Sequence, residues 1–66
     1  MVITINGKPE DVQATSLSEL LRAKQIAPQM VAVEVNDVMI DRNRLDGTSL
    51  KEGDRVEFLF YMGGGR

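Results

Sequence analysis

Three consecutive glycines, Gly63, Gly64 and Gly65, flanked by Met62 and Arg66, are the residues whose type and spacing point most directly to chemistry. They have no side chains to contribute, so the chemistry on offer is that of the backbone itself. A glycine segment can thread a channel too narrow for any Cβ atom. From Tyr61 to Gly65 an extended chain spans at most about 14 Å, enough to carry a carboxylate away from a globule and into another protein. A carboxylate is a poor electrophile until a good leaving group is attached to it, so such a segment would act as the substrate of a partner. Composition alone leaves a second reading open, that of a frayed end or linker. A phosphate-binding loop fits poorly, because no helix follows to supply its N-terminal dipole.

The rest of the chain offers few alternatives. With no histidine and no cysteine among 66 residues, Ser-His and Cys-His nucleophile systems are excluded. A disulfide scaffold is excluded too, and any metal site would have to be all oxygen. Asp37, Asp41 and Asp46 fall in polar segments, where aspartate serves as a turn former more readily than as a cation ligand. A chain of this length builds one modest core and has little left to enclose a deep pocket. An autonomous enzyme with its own cofactor is therefore not expected. Eight basic residues stand against ten acidic ones, a net charge of −2. The basic residues are scattered instead of clustered, which disfavours nucleic acid as a partner. No run approaches the roughly 18 apolar residues of a membrane span. The opening residues read as a strand and not as a signal peptide, so the cytoplasm is the expected location.

The elements that must position the glycines can be read from periodicity. Met1 to Ile5 alternates Ile3 and Ile5 with Val2 and Thr4, the pattern of a half-buried strand. Asn6-Gly7 follows, a strong hairpin signal because both residues tolerate positive φ. It leads into a strand over 8–13, which Pro9 marks as an edge. Ser16 and Glu19 have the spacing of a capping box, with the Glu19 carboxylate reaching back to the Ser16 N–H. Leu17, Leu20 and Leu21 form one apolar stripe, and the helix runs to Lys24 or Gln25, with Pro28 barring its continuation. Val31, Val33 and Val35 alternate in a second strand. Asn36-Asp37 turns it into a short strand over 38–40, Leu45 and Leu50 anchor a polar stretch, and Gly53-Asp54 turns into a last strand over 55–61. In that strand Val56, Phe58 and Phe60 share one face, and Glu57, Leu59 and Tyr61 the other.

Strand, strand, helix, strand, strand, strand is an α+β order, with one helix packed on one face of a mixed sheet of four to five strands. The first and last strands are the most hydrophobic and belong side by side, parallel and central, which is the β-grasp arrangement. The expected organisation is a folded domain over 1–61 and a flexible glycine-rich tail over 62–66. Leu59 and Tyr61, with Val2 on a neighbouring strand and Met62 following, are expected to form an exposed apolar patch on the open sheet face. A contiguous patch of that kind marks a docking surface.

Taken in order, several stretches resemble the ubiquitin-like ThiS/MoaD family, and in particular the ThiS sulfur carriers of thiamin biosynthesis. They are the opening strand and turn, the helix Ser16 to Arg22, the stretch Val31 to Ile40, the Glu52-Gly53-Asp54 turn, the final strand and the terminal glycines. The resemblance implies that the carboxylate of Gly65 is adenylated by an adenylyltransferase resembling ubiquitin-activating enzymes, which uses ATP. A persulfide sulfur donor then converts it to a thiocarboxylate, with Gly63 and Gly64 threading the partner's channel, and thiazole synthase receives the sulfur. Carriers of this type end in Gly-Gly, which places Gly64 and Gly65 on that pair and leaves Arg66 as one residue too many. Removal of Arg66 by a protease, its tolerance, and an origin outside the native chain all remain open, with removal preferred. A carrier for another acceptor such as molybdopterin, and an interaction module without C-terminal chemistry, are the alternative functions.

Overall fold

The computed structural model describes residues 1–61. Its strands are β1 (Val2–Ile5), β2 (Lys8–Asp11), β3 (Val31–Val35), β4 (Val38–Ile40) and β5 (Arg55–Phe60), with one helix, α1 (Leu17–Ala23). Short 3-10 turns occupy Pro28–Met30 and Arg42–Arg44. The five strands form one sheet in the order β2-β1-β5-β3-β4. β1 and β5 run parallel, and every other pair is antiparallel. The last strand of the chain is thus the middle strand of the sheet. This is the ubiquitin-like β-grasp.

Two hairpins of the same design fold the sheet. Asn6 and Gly7 have φ of 49° and 85°, and Asn36 and Asp37 have φ of 52° and 71°. These left-handed conformations match the twist of the strands they join, and Asn, Asp and Gly reach them at the least cost. β2 ends at Asp11, two residues before the expected limit, where Val2 pairs with Asp11. One residue further Val12 still meets Met1, donating its N–H to the Met1 carbonyl at 2.8 Å and accepting from the Met1 amino group at 3.0 Å, while its side chain packs into the core.

Local chemistry bounds α1. The Ser16 hydroxyl accepts from the Glu19 N–H at 3.2 Å, as a capping box requires. The Glu19 carboxylate, however, bypasses Ser16 and accepts from the Thr15 N–H at 2.8 Å and the Thr15 hydroxyl at 3.0 Å. One residue further back it meets two donors instead of one. These bonds hold the Glu19 carboxyl below its ordinary value of 4.5, the Thr15 amide contributing most, then the Thr15 hydroxyl, with Arg22 a lesser cause. The helix stops before Pro28 has any influence. Gln25 adopts φ of 60°, its N–H donates to the Arg22 carbonyl, and the Ile26 N–H donates to that of Leu21. That bond pair is a Schellman ending.

The core lies between α1 and one face of the sheet. Ile3, Ile5, Val31, Val33, Val35, Val56 and Phe58 come from the sheet, and Leu17, Leu20 and Leu21 from the helix. Leu45 and Leu50, the expected anchors of the polar stretch, close the side. The three leucines are 0–1 % exposed, so the i, i+3, i+4 stripe accounts for the whole buried face of α1. Burying side chains of this size contributes about 1.5–3 kcal/mol each. Among the described residues, no helix is long and apolar enough to cross a membrane.

Candidate functional site

The site is the C-terminal end of β5, from which the chain passes to Met62 and the glycines. The expected tail over 62–66, with Met62, Gly63, Gly64, Gly65 and Arg66, lies outside the described residues. What the structure defines is the platform that launches it.

β5 is held on both flanks through most of its length. On one side five residue pairs join it to β3, from Val35–Val56 to Val31–Phe60. Tyr61 extends that side by one more bond, donating its N–H to the Met30 carbonyl at 3.1 Å. On the other side the Thr4 and Asn6 N–H groups donate to the carbonyls of Asp54 and Val56, both at 2.9 Å. There β1 ends, and the Asn6 side chain continues its work. Asn6 Oδ1 accepts from the Phe58 N–H at 2.8 Å, and Asn6 Nδ2 donates to the Phe58 carbonyl at 3.4 Å. The carboxamide thus stands where the next peptide group of β1 would be. Asn36 serves the opposite end of β5: its N–H donates to the Arg55 carbonyl at 2.7 Å, and its Oδ1 accepts from the Arg55 N–H at 2.9 Å. The sequence marks both asparagines as turn residues, but nothing in it announces these clamps, which join residues 52 and 19 positions apart.

Burial changes abruptly along the strand. Val56 and Phe58 are 1 % and 5 % exposed, whereas Leu59, Phe60 and Tyr61 are 48 %, 52 % and 55 % exposed. Phe60 lies on the same face as Phe58, with ring centroids 6.3 Å apart edge to face, yet the buried layer ends at Phe58. Leu59 pairs with Ala32 on the open face, and Tyr61 abuts Met30, itself half exposed. An apolar surface does lie beside the tail. Its extent differs from the expectation at one residue. Val2 is exposed and faces the open side, but its carbonyl accepts from the Gly53 N–H, and Thr4, two residues on, pairs with Arg55. That register sets Val2 six strand positions from Leu59, about 20 Å at strand rise. Val2 therefore belongs to the opposite end of the sheet, and the residues that join Leu59 and Tyr61 are Ala32 and Met30. The parallel alignment of β1 on β5 decides this, and periodicity cannot supply it.

Below Leu59 the open face turns acidic. Glu34 and Glu57 stand directly opposite each other on β3 and β5, an arrangement that like charges disfavour. A groove of about 300 Å³ runs from Tyr61 past Ala32 and Met39 to Asp41 and Arg42. A larger depression of about 700 Å³ lies between the C-terminal half of α1 and the 42–46 turn, lined by Leu21, Arg22, Ile26, Arg42 and Asp46. The smaller groove is the one that reaches the launching residue of the tail.

Comparison with known proteins agrees with this architecture. The ThiS family model matches residues 2–65. The chain belongs to the ThiS family. It is similar to the thiamine biosynthesis protein ThiS of Geobacter metallireducens, whose crystal structure superposes with a TM-score of 0.84 at 43 % identity, covering 98 % of this chain and 100 % of that one. The solution structure of a thiamine biosynthesis protein from the same organism gives a TM-score of 0.81, also at 43 % identity, over 100 % of this chain and 90 % of that one. A thiazole synthase of Magnetococcus marinus is 37 % identical over the whole chain, which spans about a fifth (21 %) of that protein's length. The uncharacterized protein ycf40 of Pyropia yezoensis is 34 % identical, over 96 % of this chain and 90 % of its own. The family match includes all three glycines and stops short of Arg66.

Proposed function

We propose that this ThiS-family chain is a sulfur carrier for thiamin thiazole synthesis, with the carboxylate of Gly65 as its working group. One observation carries the reading. The glycine segment begins three residues after the central strand of a ThiS-family sheet and two beyond a Tyr61 pinned to Met30. A firmly anchored strand gives a slender segment a fixed origin, so that it can present its end to more than one active site without unfolding the carrier.

In the cycle, an adenylyltransferase joins the Gly65 carboxylate to AMP from ATP, releasing pyrophosphate. The terminal sulfur of a persulfide attacks the acyl carbon and AMP leaves. A thiol then cleaves the resulting S–S bond, forming a disulfide and freeing the thiocarboxylate. The carrier supplies no acid, base or cofactor to any of these steps. Arg66 must be absent for this chemistry, because a charged side chain at the reacting residue is incompatible with a channel shaped for glycine. Thiazole synthase is the proposed acceptor. The similarity of this chain to 21 % of a Magnetococcus marinus protein named thiazole synthase supports that choice. Leu59 and Tyr61 together with Met30 and Ala32 are the proposed docking patch, with Met62 next to them in sequence, and the cytoplasm is the proposed compartment.

The test is mass spectrometry of the chain ending at Gly65 after incubation with the adenylyltransferase of the same organism, ATP and a persulfide donor. The expected product gains the mass of one oxygen-to-sulfur exchange at Gly65. A chain that stays unmodified under these conditions refutes the carrier reading. Deleting Gly65 as well should abolish the modification and leave the unfolding transition unchanged.

A further inference from the structure

The geometry points to Phe60 as a strand-pairing edge, to which the enzyme that activates the chain adds an extended backbone segment of its own. This rests on the carrier reading above and names how the partner grips the site.

Register decides which way each peptide group of β5 faces. The bonded pair Asn36–Arg55 and the Tyr61 N–H to Met30 bond fix the phase against β3. In an antiparallel pair, bonded and non-bonded positions alternate. Arg55, Glu57, Leu59 and Tyr61 therefore direct their N–H and C=O groups to β3. Val56, Phe58 and Phe60 direct theirs to the β1 side. There Val56 meets the main chain of Asn6, and Phe58 meets its carboxamide. Phe60 comes next in phase, but the chain has already turned away at Asn6–Gly7. Among the described residues nothing stands opposite its N–H and C=O, and the residue is half exposed.

Backbone groups of this kind form the template for strand addition, with main-chain bonds giving affinity and alternate side chains giving specificity. At this point the side chains suit it. Leu59 and Tyr61 project to one face and Phe60 to the other, all half exposed, so an added strand would find apolar contacts on both faces. The outer edge of β2 is different in kind: Lys8, Glu10 and Asp11 charge it, and Pro9 removes an N–H, devices that deter pairing. The Phe60 edge carries neither charge nor proline.

The occupant is the activating enzyme and not a second copy. Asn6 blocks everything N-terminal to Phe60, so two copies meeting here would each offer one paired residue before colliding with the other's Asn6–Gly7 turn. An enzyme strand meets no such limit, because it can follow the glycine segment that must enter its active site in any case. Asn6 thereby has a second role. Its carboxamide ends the internal pairing of β5 at Phe58 and sets the position where external pairing begins.

Backbone amide exchange followed by NMR tests this directly. In the free chain ending at Gly65 the Phe60 amide should exchange much faster than that of Leu59, which faces β3, and it should become protected when the adenylyltransferase is added. A synthetic chain ending at Gly65 with N-methyl-phenylalanine at position 60 should keep its unfolding midpoint. Its kcat/KM for adenylation, read as pyrophosphate release, should fall about tenfold or more, as expected for the loss of a hydrogen bond and the blocking of its edge. The inference is overturned if Phe60 is already protected in the free chain, if its protection depends on the concentration of the chain alone, or if the N-methyl chain fails to fold. Activation of the N-methyl chain at the unmodified rate overturns it as well. If the unmodified chain ending at Gly65 is itself never adenylated, the carrier reading is what fails.

Discussion

The two ends of β5 are built to different standards. At its start, Val56 is buried, Arg55 is clamped through both N–H and C=O by Asn36, and the β1 backbone bonds Asp54 and Val56 from the other flank. At its finish, Leu59, Phe60 and Tyr61 are half exposed, and pairing survives on the β3 side alone. Among the strand's first four residues Val56 and Phe58 belong to the core while Arg55 and Glu57 face solvent, and from Leu59 onward both faces are accessible. Firmness and availability exclude each other at a single residue, since a backbone group already bonded in the core has nothing left for a partner. The chain meets both needs by placing them about 10 Å apart along one strand.

Substitutions should expose this contrast. The largest expected effect is at Phe58→Ala, which removes a ring from the core and should cost about 3–5 kcal/mol, enough to unfold much of so small a domain. Phe60→Ala, two residues on, should cost less than about 1 kcal/mol, because exposed positions are tolerant. Urea denaturation of both variants measures the contrast, and equal losses would abolish it. Next is Asn6→Gly, which keeps the left-handed turn and deletes the carboxamide clamp. It should cost about 1–2 kcal/mol by chemical denaturation, the scale of two partly buried hydrogen bonds, and should speed amide exchange at Phe58.

Smaller again is Glu57→Gln. It relieves the Glu34–Glu57 opposition at the boundary between the two ends and should stabilise the chain by about 0.2–1 kcal/mol, visible as a raised thermal midpoint at low salt. The smallest effect lies away from both ends, at Glu19. Its carboxyl is held below the ordinary value chiefly by the Thr15 amide, so its contribution is complete above the usual glutamate range and is lost as pH falls through the lowered folded value. Glu19→Gln should therefore flatten the acid limb of stability against pH while leaving the resistance of either end of β5 to exchange unchanged. An unaltered acid limb would show that the Thr15 bonds do not form in solution.

Much of this architecture is legible residue by residue. Alternation in Met1 to Ile5, Val31 to Val35 and Arg55 to Phe60 reports strands because side-chain direction reverses at every step. The turn pairs Asn6-Gly7 and Asn36-Asp37 report hairpins because few residues accept positive φ. The leucine stripe reports the buried face of α1 for the same local reason. The failures share a cause as well. The placement of Val2 beside Leu59 and the reach of Glu19 to Ser16 each depend on which of several local options the surroundings select. At Val2 the selection is made by strand register and at Glu19 by a neighbouring threonine with two donors. The helix ends within a residue or two of the expected Lys24 or Gln25, through a Schellman ending that no glycine signals.

By itself the sequence determined the strands and the helix, their order, the buried residues of β1, α1, β3 and the first part of β5, and a glycine segment after the last strand, because these follow from side-chain periodicity and backbone conformational preference within a few residues. Tertiary structure alone decided that Asn6 ends the internal pairing of β5 at Phe58, that Val2 lies at the opposite end of the sheet from Leu59, and that Phe60 lies beyond the buried layer and beyond the reach of Asn6. Those facts depend on the register between strands some fifty residues apart in the chain, and register is set by the packing of the whole sheet on α1 and not by any one segment.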